Sequence, residues 1–125
     1  MSLTSQKSKR KATGGRYKDH RKKRVFEIRN LPVLTKLALR RVRSVRVRGA
    51  IIKQSILAEE NVNVYDSKSK KYSKEKIKTI VENAANRHFV RRNIITKGAV
   101  VETEKGKVKI TSRPGQVGVL SGIRV

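Results

Sequence analysis

The chain contains no cysteine and no tryptophan, only two prolines, and only five aromatic residues: Tyr17, Phe26, Tyr65, Tyr72 and Phe89. Without a thiol there can be no disulfide framework and no thiolate-ligated metal site, which agrees with an intracellular setting. No apolar run approaches the roughly 18 residues of a membrane span. The opening MSLTSQKSKRKATGG lacks the apolar middle region of a secretory signal, so export is not expected. Acidic residues are scarce as well. Nine Asp+Glu stand against 33 Lys+Arg, a formal net charge of +24 on 125 residues. Self-repulsion at that density destabilises a compact chain by itself, so a polyanionic partner is expected, with nucleic acid ahead of an anionic membrane surface. The length suits one domain plus a tail.

Catalytic and metal chemistry finds little to work with. His20 and His88 are far apart and each sits among Lys and Arg, a neighbourhood that repels metal ions; no metal and no other cofactor is expected. Glu59 and Glu60 are adjacent and, if extended, point to opposite faces, so they make no acid/base pair. Neither a G-x-S-x-G elbow nor a Walker loop is present, and an enzyme is not expected. GQVG at 115–118 matches the short string of one RNA-binding module, but its flanks read as strands where that module needs helices. The aromatic-rich strand motif of another RNA-binding module is missing, so base stacking is not indicated.

Charge and apolar content are unevenly distributed. Residues 1–48 hold 17 Lys+Arg and 2 acids, a net of +15; residues 49–125 hold 16 and 7, a net of +9. Residues 1–25 carry almost no core-forming side chains and read as a basic arm that orders only on its partner. Residues 26–35, with Pro32, read as a connector, and 36–125 as a small β-rich domain dominated by Val, Ile and Leu. Val45 and Val47 alternate with Arg46 and Arg48, giving a strand with one cationic face, a register shift at Ser44 and a bend at Gly49. Further strands are expected at 51–58, 61–66, 99–104, 107–112 and 117–124, with turns at EKGK 104–107 and RPGQ 113–116, where Gly115 is free to take a positive φ. SKEKIKTIVENAA at 73–85 fits two patterns. Ile77, Ile80, Val81 and Ala84 have helical spacing after a Ser73 cap, whereas Ile77, Thr79 and Val81 alternate as a strand. Many short strands with close turns predict an all-β fold, a small antiparallel β-barrel carrying a long, basic, extended N-terminal arm.

Within the arm, KRKATGGRYKDHRKKR is interrupted by Thr13-Gly14-Gly15. Two glycines let the backbone approach a phosphate closely, with Thr13 adding a hydroxyl donor; alternatively they are a plain flexible linker. Arg predominates in VRVR and in NRHFVRRN, where rigid forks can grip phosphates, and Lys in the arm and in 68–78.

Three blocks in order, KATGGRYKDHRKKR, VRVRGAIIK and NRHFVRRNIITKGAVVETEKGKVKITSRPGQVGVL, resemble the archaeal and eukaryotic small-subunit ribosomal proteins of the eight-e family, over nearly the whole chain. The resemblance implies a cytoplasmic, non-enzymatic constituent of the small ribosomal subunit. Its implied partners are small-subunit ribosomal RNA and neighbouring ribosomal proteins, with no membrane, no small-molecule substrate and no homo-oligomer. By that likeness, with charge as the guide, the arm residues Lys9, Arg10, Lys11, Thr13, Gly14, Gly15, Arg16, Lys18, Arg21, Lys22, Lys23 and Arg24 lie along RNA. In the barrel the corresponding residues are Arg46, Arg48, Arg91, Arg92, Asn93, Lys97 and Arg113. The resemblance also tips 73–85 toward a strand at roughly 76–82, followed by an irregular or short helical turn through NRHFVRRN. The chain departs from the family at Arg29, and at Ala50 and Ile51, where the family tends to have Gly and Asn. A free-standing cationic protein that condenses nucleic acid is the rival reading.

Overall fold

The computed structural model describes residues 3–4 and 8–125, so the first residues of the expected arm (1–2 and 5–7) lie outside the described residues. The chain divides into two units, Met1–Pro32 and Val33–Val125. In the first, β1 (Leu3–Thr4) pairs antiparallel with β2 (Ile28–Arg29), and a single 3-10 turn spans Val25–Glu27.

The second unit is built from nine strands, one short α-helical turn and a 3-10 turn at Arg48–Ala50. In chain order the strands and the α-helical turn are β3 (Thr35–Lys36), β4 (Arg41–Arg46), β5 (Ile52–Ala58), β6 (Asn61–Asp66), β7 (Lys71–Glu82), α1 (His88–Arg91), β8 (Ile94–Ile95), β9 (Val100–Thr103), β10 (Gly106–Ile110) and β11 (Ser121–Arg124). Five strands close a barrel in the order β10-β11-β6-β7-β9, and β4-β5-β3-β8 form a second sheet. The expected barrel is therefore present. One of its seams, β11 on β6, is parallel, and the other four are antiparallel.

Alternation explains the barrel wall. Val62 and Val64 of β6, Val101 of β9, and Val108 and Ile110 of β10 turn inward, joined by Ile56, Ile77, Ile80, Ile95 and Leu120. The intervening Asn63, Lys107 and Lys109 stay outside. Gly122 fills an inward position of β11 because a Cβ there would stand 2.5 Å from Val108 Cγ1 and 2.9 Å from the Lys109 carbonyl oxygen. The walls approach too closely for a side chain.

The stretch 73–85 is strand, not helix, up to Glu82. Its helical spacing has a specific cause: β7 shifts register against β9 between Ile77 and Thr79 and again between Ile80 and Glu82. Each shift adds a residue on β7, so Ile77 and Ile80, three apart, both face the core opposite Thr103 and Val101. Between β6 and β7 the lysine-rich stretch is turn only at 67–70, closed by the Asp66 carboxylate, and strand from Lys71 onward.

Three further expectations change. The irregularity in β4 falls between Arg41 and Val42, not at Ser44, because Ala58 and Ile56 pair with these two neighbours across the sheet. The last strand begins at Ser121, not 117; residues 114–119 are turn and bend, anchored by Gln116 and Val117 N–H groups donating to the Arg113 carbonyl. Gly115 does not use a positive φ. A Cβ there would meet the Val33 Cβ at 3.3 Å, so close approach is what favours glycine. NRHFVRRN forms the short helical turn α1, as expected.

Candidate nucleic-acid interface

In the first unit the basic segment folds back on itself. Tyr17 N–H donates to the Lys9 carbonyl (2.9 Å), Lys11 N–H to Gly15 (2.7 Å) and Gly14 N–H to Lys11 (3.0 Å), and Arg10 bridges to Arg16. Gly14 closes this turn at φ +83° with open space around it, a conformation that other residues adopt only at a cost. The structure thus adds a local reason for the glycine: reversing the chain. The Arg10 guanidinium donates to the Gly14 carbonyl (2.8 Å), and the Lys11 ammonium lies 5.6 Å from the Tyr17 ring centre. Thr13 Oγ1 and the Gly15 N–H have no partner among the described residues, and both lie at the exposed tip. Arg16 and Lys18 are exposed beside them.

The second basic cluster is partly neutralised. Arg21 grips both oxygens of Glu27, at 3.1 Å for one of them, and Glu27 also accepts from the Arg24 N–H at 3.0 Å. The Arg21 hydrogen bond, and next the Arg24 N–H, hold the Glu27 carboxyl at about 2. Lys9 pairs with Asp19 at 3.2 Å, both well exposed. Lys22, Lys23 and Arg24 make no ion pair among the described residues.

In the second unit the candidates occupy three places. Arg46 ends β4 opposite Ile52, and Arg48 sits in the hairpin beyond it; both are exposed. That hairpin turns through Gly49 (φ 74°) and Ala50 (φ 59°), tied by Val47 N–H to the Ile51 carbonyl at 2.8 Å. Arg91, Arg92, Asn93 and Lys97 follow one another from α1 past β8, all exposed. Asn93 has a local role as well, since it leaves the helix at φ 51° and its carbonyl accepts from Leu37 N–H at 3.0 Å. Arg113 stands exposed at the head of its own turn.

Two of the nine carboxylates, Glu59 and Glu75, are buried inside the fold. Glu59 is buried and pairs with Arg40, which also donates to the Gly118 carbonyl at 3.1 Å. Glu75 is buried and accepts from Ser73 Oγ (2.7 Å), Thr103 Oγ1 (2.7 Å) and Arg124. Burial pushes the Glu75 carboxyl up, but the Thr103 and Ser73 hydroxyls and the Arg124 and Lys105 charges outweigh it and hold it below its ordinary range. Glu60 pairs with Lys76 at 3.4 Å. Among the described residues five cations have a carboxylate partner, and the rest face outward in excess. No group of three or more His, Asp or Glu is placed to hold a metal among those residues, and no helix there is long and apolar enough to cross a membrane.

Residue-type reasoning marked 68–78 as lysine-rich without singling out Lys74 and Lys78 of β7, and it overlooked Lys107 and Lys109 of β10; all four face outward on the barrel wall. Their signal was present in KEKIK and KVKI, where every second residue is cationic. It became usable only once the inward parity of Ile77, Val108 and Ile110 was known.

The family model "Ribosomal protein S8e" matches residues 4–125. The chain is 49% identical over 119 residues to the small ribosomal subunit protein eS8 of Methanocorpusculum labreanum, covering 95% of each chain. It is 48% identical over 113 residues to the protein of that name from Nanoarchaeum equitans, covering 90% of this chain and 89% of the relative. A third such protein, from Methanococcus aeolicus, is 44% identical over 126 residues, covering 100% and 98%.

Proposed function

Since the chain belongs to the ribosomal protein S8e family, we propose that it is a structural constituent of the small ribosomal subunit that binds and stabilises small-subunit ribosomal RNA. The family is a structural ribosomal one and not a family of enzymes. The observation that carries the RNA reading is the surplus of exposed, unpaired cations on both units, since only five cations among the described residues have a carboxylate partner.

The mechanism is phosphate neutralisation by two kinds of donor. The hairpin at 9–17 offers Lys11, Arg16, the Thr13 hydroxyl and the Gly15 N–H on an exposed tip, with Lys22, Lys23 and Arg24 further along the chain. Arg46, Arg48, Arg91, Arg92, Lys97 and Arg113 supply forks and point charges from the second unit. Arg21 is already engaged by Glu27, so its contribution to RNA requires exchanging a carboxylate for a phosphate. In the cytoplasm the assembled subunit would bring neighbouring ribosomal proteins against the same molecule.

Binding to protein-free small-subunit ribosomal RNA across a salt titration tests this. Six or more phosphate contacts give a slope of log affinity against log salt of about −4 or steeper. A nearly salt-independent affinity, or a native protein that does not sediment with small subunits, overturns the reading.

A further inference from the structure

We infer that the outer face of the barrel carries a stacking platform for one unpaired nucleobase of the bound RNA, built on Tyr65 and Tyr72. The inference rests on the RNA-binding reading above. Tyr65 of β6 lies directly opposite Tyr72 of β7, and the next pair toward the core is Val64 opposite Ser73. Because Val62 and Val64 are drawn into the core, parity places both rings on the outside. The ring centres are 4.9 Å apart with the planes at 40°. Tyr72 is 80% exposed, so its ring is open to a partner. Neither phenol hydroxyl has a hydrogen-bond partner among the described residues.

The surroundings match a nucleotide. Across the parallel seam Ile123, 41% exposed, sits beside Tyr65 and extends the apolar row. Two residues back along β6 the register aligns Lys74, Asn63 and Ser121 in a polar row. A shallow hollow of about 280 Å³ lies between the rows, with Tyr65, Tyr72 and Ile123 on one side and Asn63, Ser121 and Thr111 on the other. Lys109 stands opposite Ile123 on the same face, and neither it nor Lys74 is ion-paired. The face therefore combines flat apolar rings, an amide that can both donate and accept, and flanking positive charge. An acidic protein surface would satisfy the charge alone. A splayed-out nucleotide satisfies all three: its base covers a ring, its edge meets Asn63, and its phosphate meets lysine. The scarcity of aromatics in the sequence argues against stacking, yet strand register sets two of the five side by side.

The test uses the full chain with Tyr72→Ala and Tyr72→Phe, titrated against protein-free small-subunit ribosomal RNA at several salt concentrations. Tyr72→Ala is expected to bind roughly ten- to hundredfold more weakly. Its salt slope stays unchanged because no phosphate contact is removed. Tyr72→Phe retains native affinity, and ultraviolet irradiation of the native complex crosslinks RNA to the peptide carrying Tyr72. Native affinity in Tyr72→Ala overturns the platform. So does a subunit-incorporation defect in Tyr72→Ala with undiminished RNA affinity, which would assign this face to a neighbouring protein. Failure of the native chain itself to bind the RNA overturns the functional reading first and the platform with it, and is distinguishable because no variant is involved.

Discussion

Glu75 shows how a single buried carboxylate can organise a barrel wall in a chain that is otherwise overwhelmingly cationic. Its oxygens collect Ser73, Thr103 and Arg124 from β7, β9 and β11, three of the five barrel strands. Arg124 in turn donates to the Lys105 carbonyl at 2.6 Å. Glu75→Gln leaves an Arg124 guanidinium facing a neutral amide and is expected to cost about 3 kcal/mol. In a domain of this size thermal unfolding should then shift down by at least about 10 °C. The pH dependence has a definite sign. The folded-state pKa of Glu75 lies below its ordinary 4.5, so its contribution is complete above that value and is lost as pH falls through the folded pKa. The native protein should therefore lose stability on acidification below about pH 4.5 more steeply than Glu75→Gln does, as read by thermal melts between about pH 3 and 7.

At the scale of elements, the β4–β5 hairpin explains why an apparent family departure matters. Two successive left-handed residues are needed to turn it, and the chain supplies Gly49 and then Ala50. Alanine at φ 59° carries a penalty of about 1 kcal/mol that glycine does not. Ala50→Gly is therefore expected to raise the unfolding free energy by up to about 1 kcal/mol, offset in part by the freer unfolded chain. An unchanged or lower denaturation midpoint would argue that the hairpin turns by another route. The β7 strand teaches a related lesson. Its apolar residues mimic helical spacing because two bulges advance the parity, and only the pairing partner Val100–Thr103 distinguishes the cases. The turn at 9–17 is similar. Thr13-Gly14-Gly15 marks a break in a basic run, but the hydrogen bonds Lys11–Gly15 and Tyr17–Lys9 are what make that break a reversal.

For the whole molecule, every residue of the hydrophobic core among the described residues belongs to Val33–Val125. Removing residues 1–24 should leave a cooperative melting transition close to that of the full chain, while RNA affinity falls and the salt slope becomes shallower by ~0.7–0.9 per lost phosphate contact. A truncated protein that binds with the native slope would move the whole interface onto the barrel. The sequence by itself determined the cationic character, since a surplus of 24 positive charges needs no geometry to be counted. It also determined the β-rich core, since Val62, Val64, Val108 and Ile110 alternate with polar neighbours and period two is a local property. Tertiary structure decided what depends on register between distant strands: which lysines face outward, that Glu75 meets Thr103 and Arg124, and that Tyr65 and Tyr72 become neighbours. Pairing across a barrel is set by closure and bulges, and shifting it by one residue moves every side chain to the opposite face.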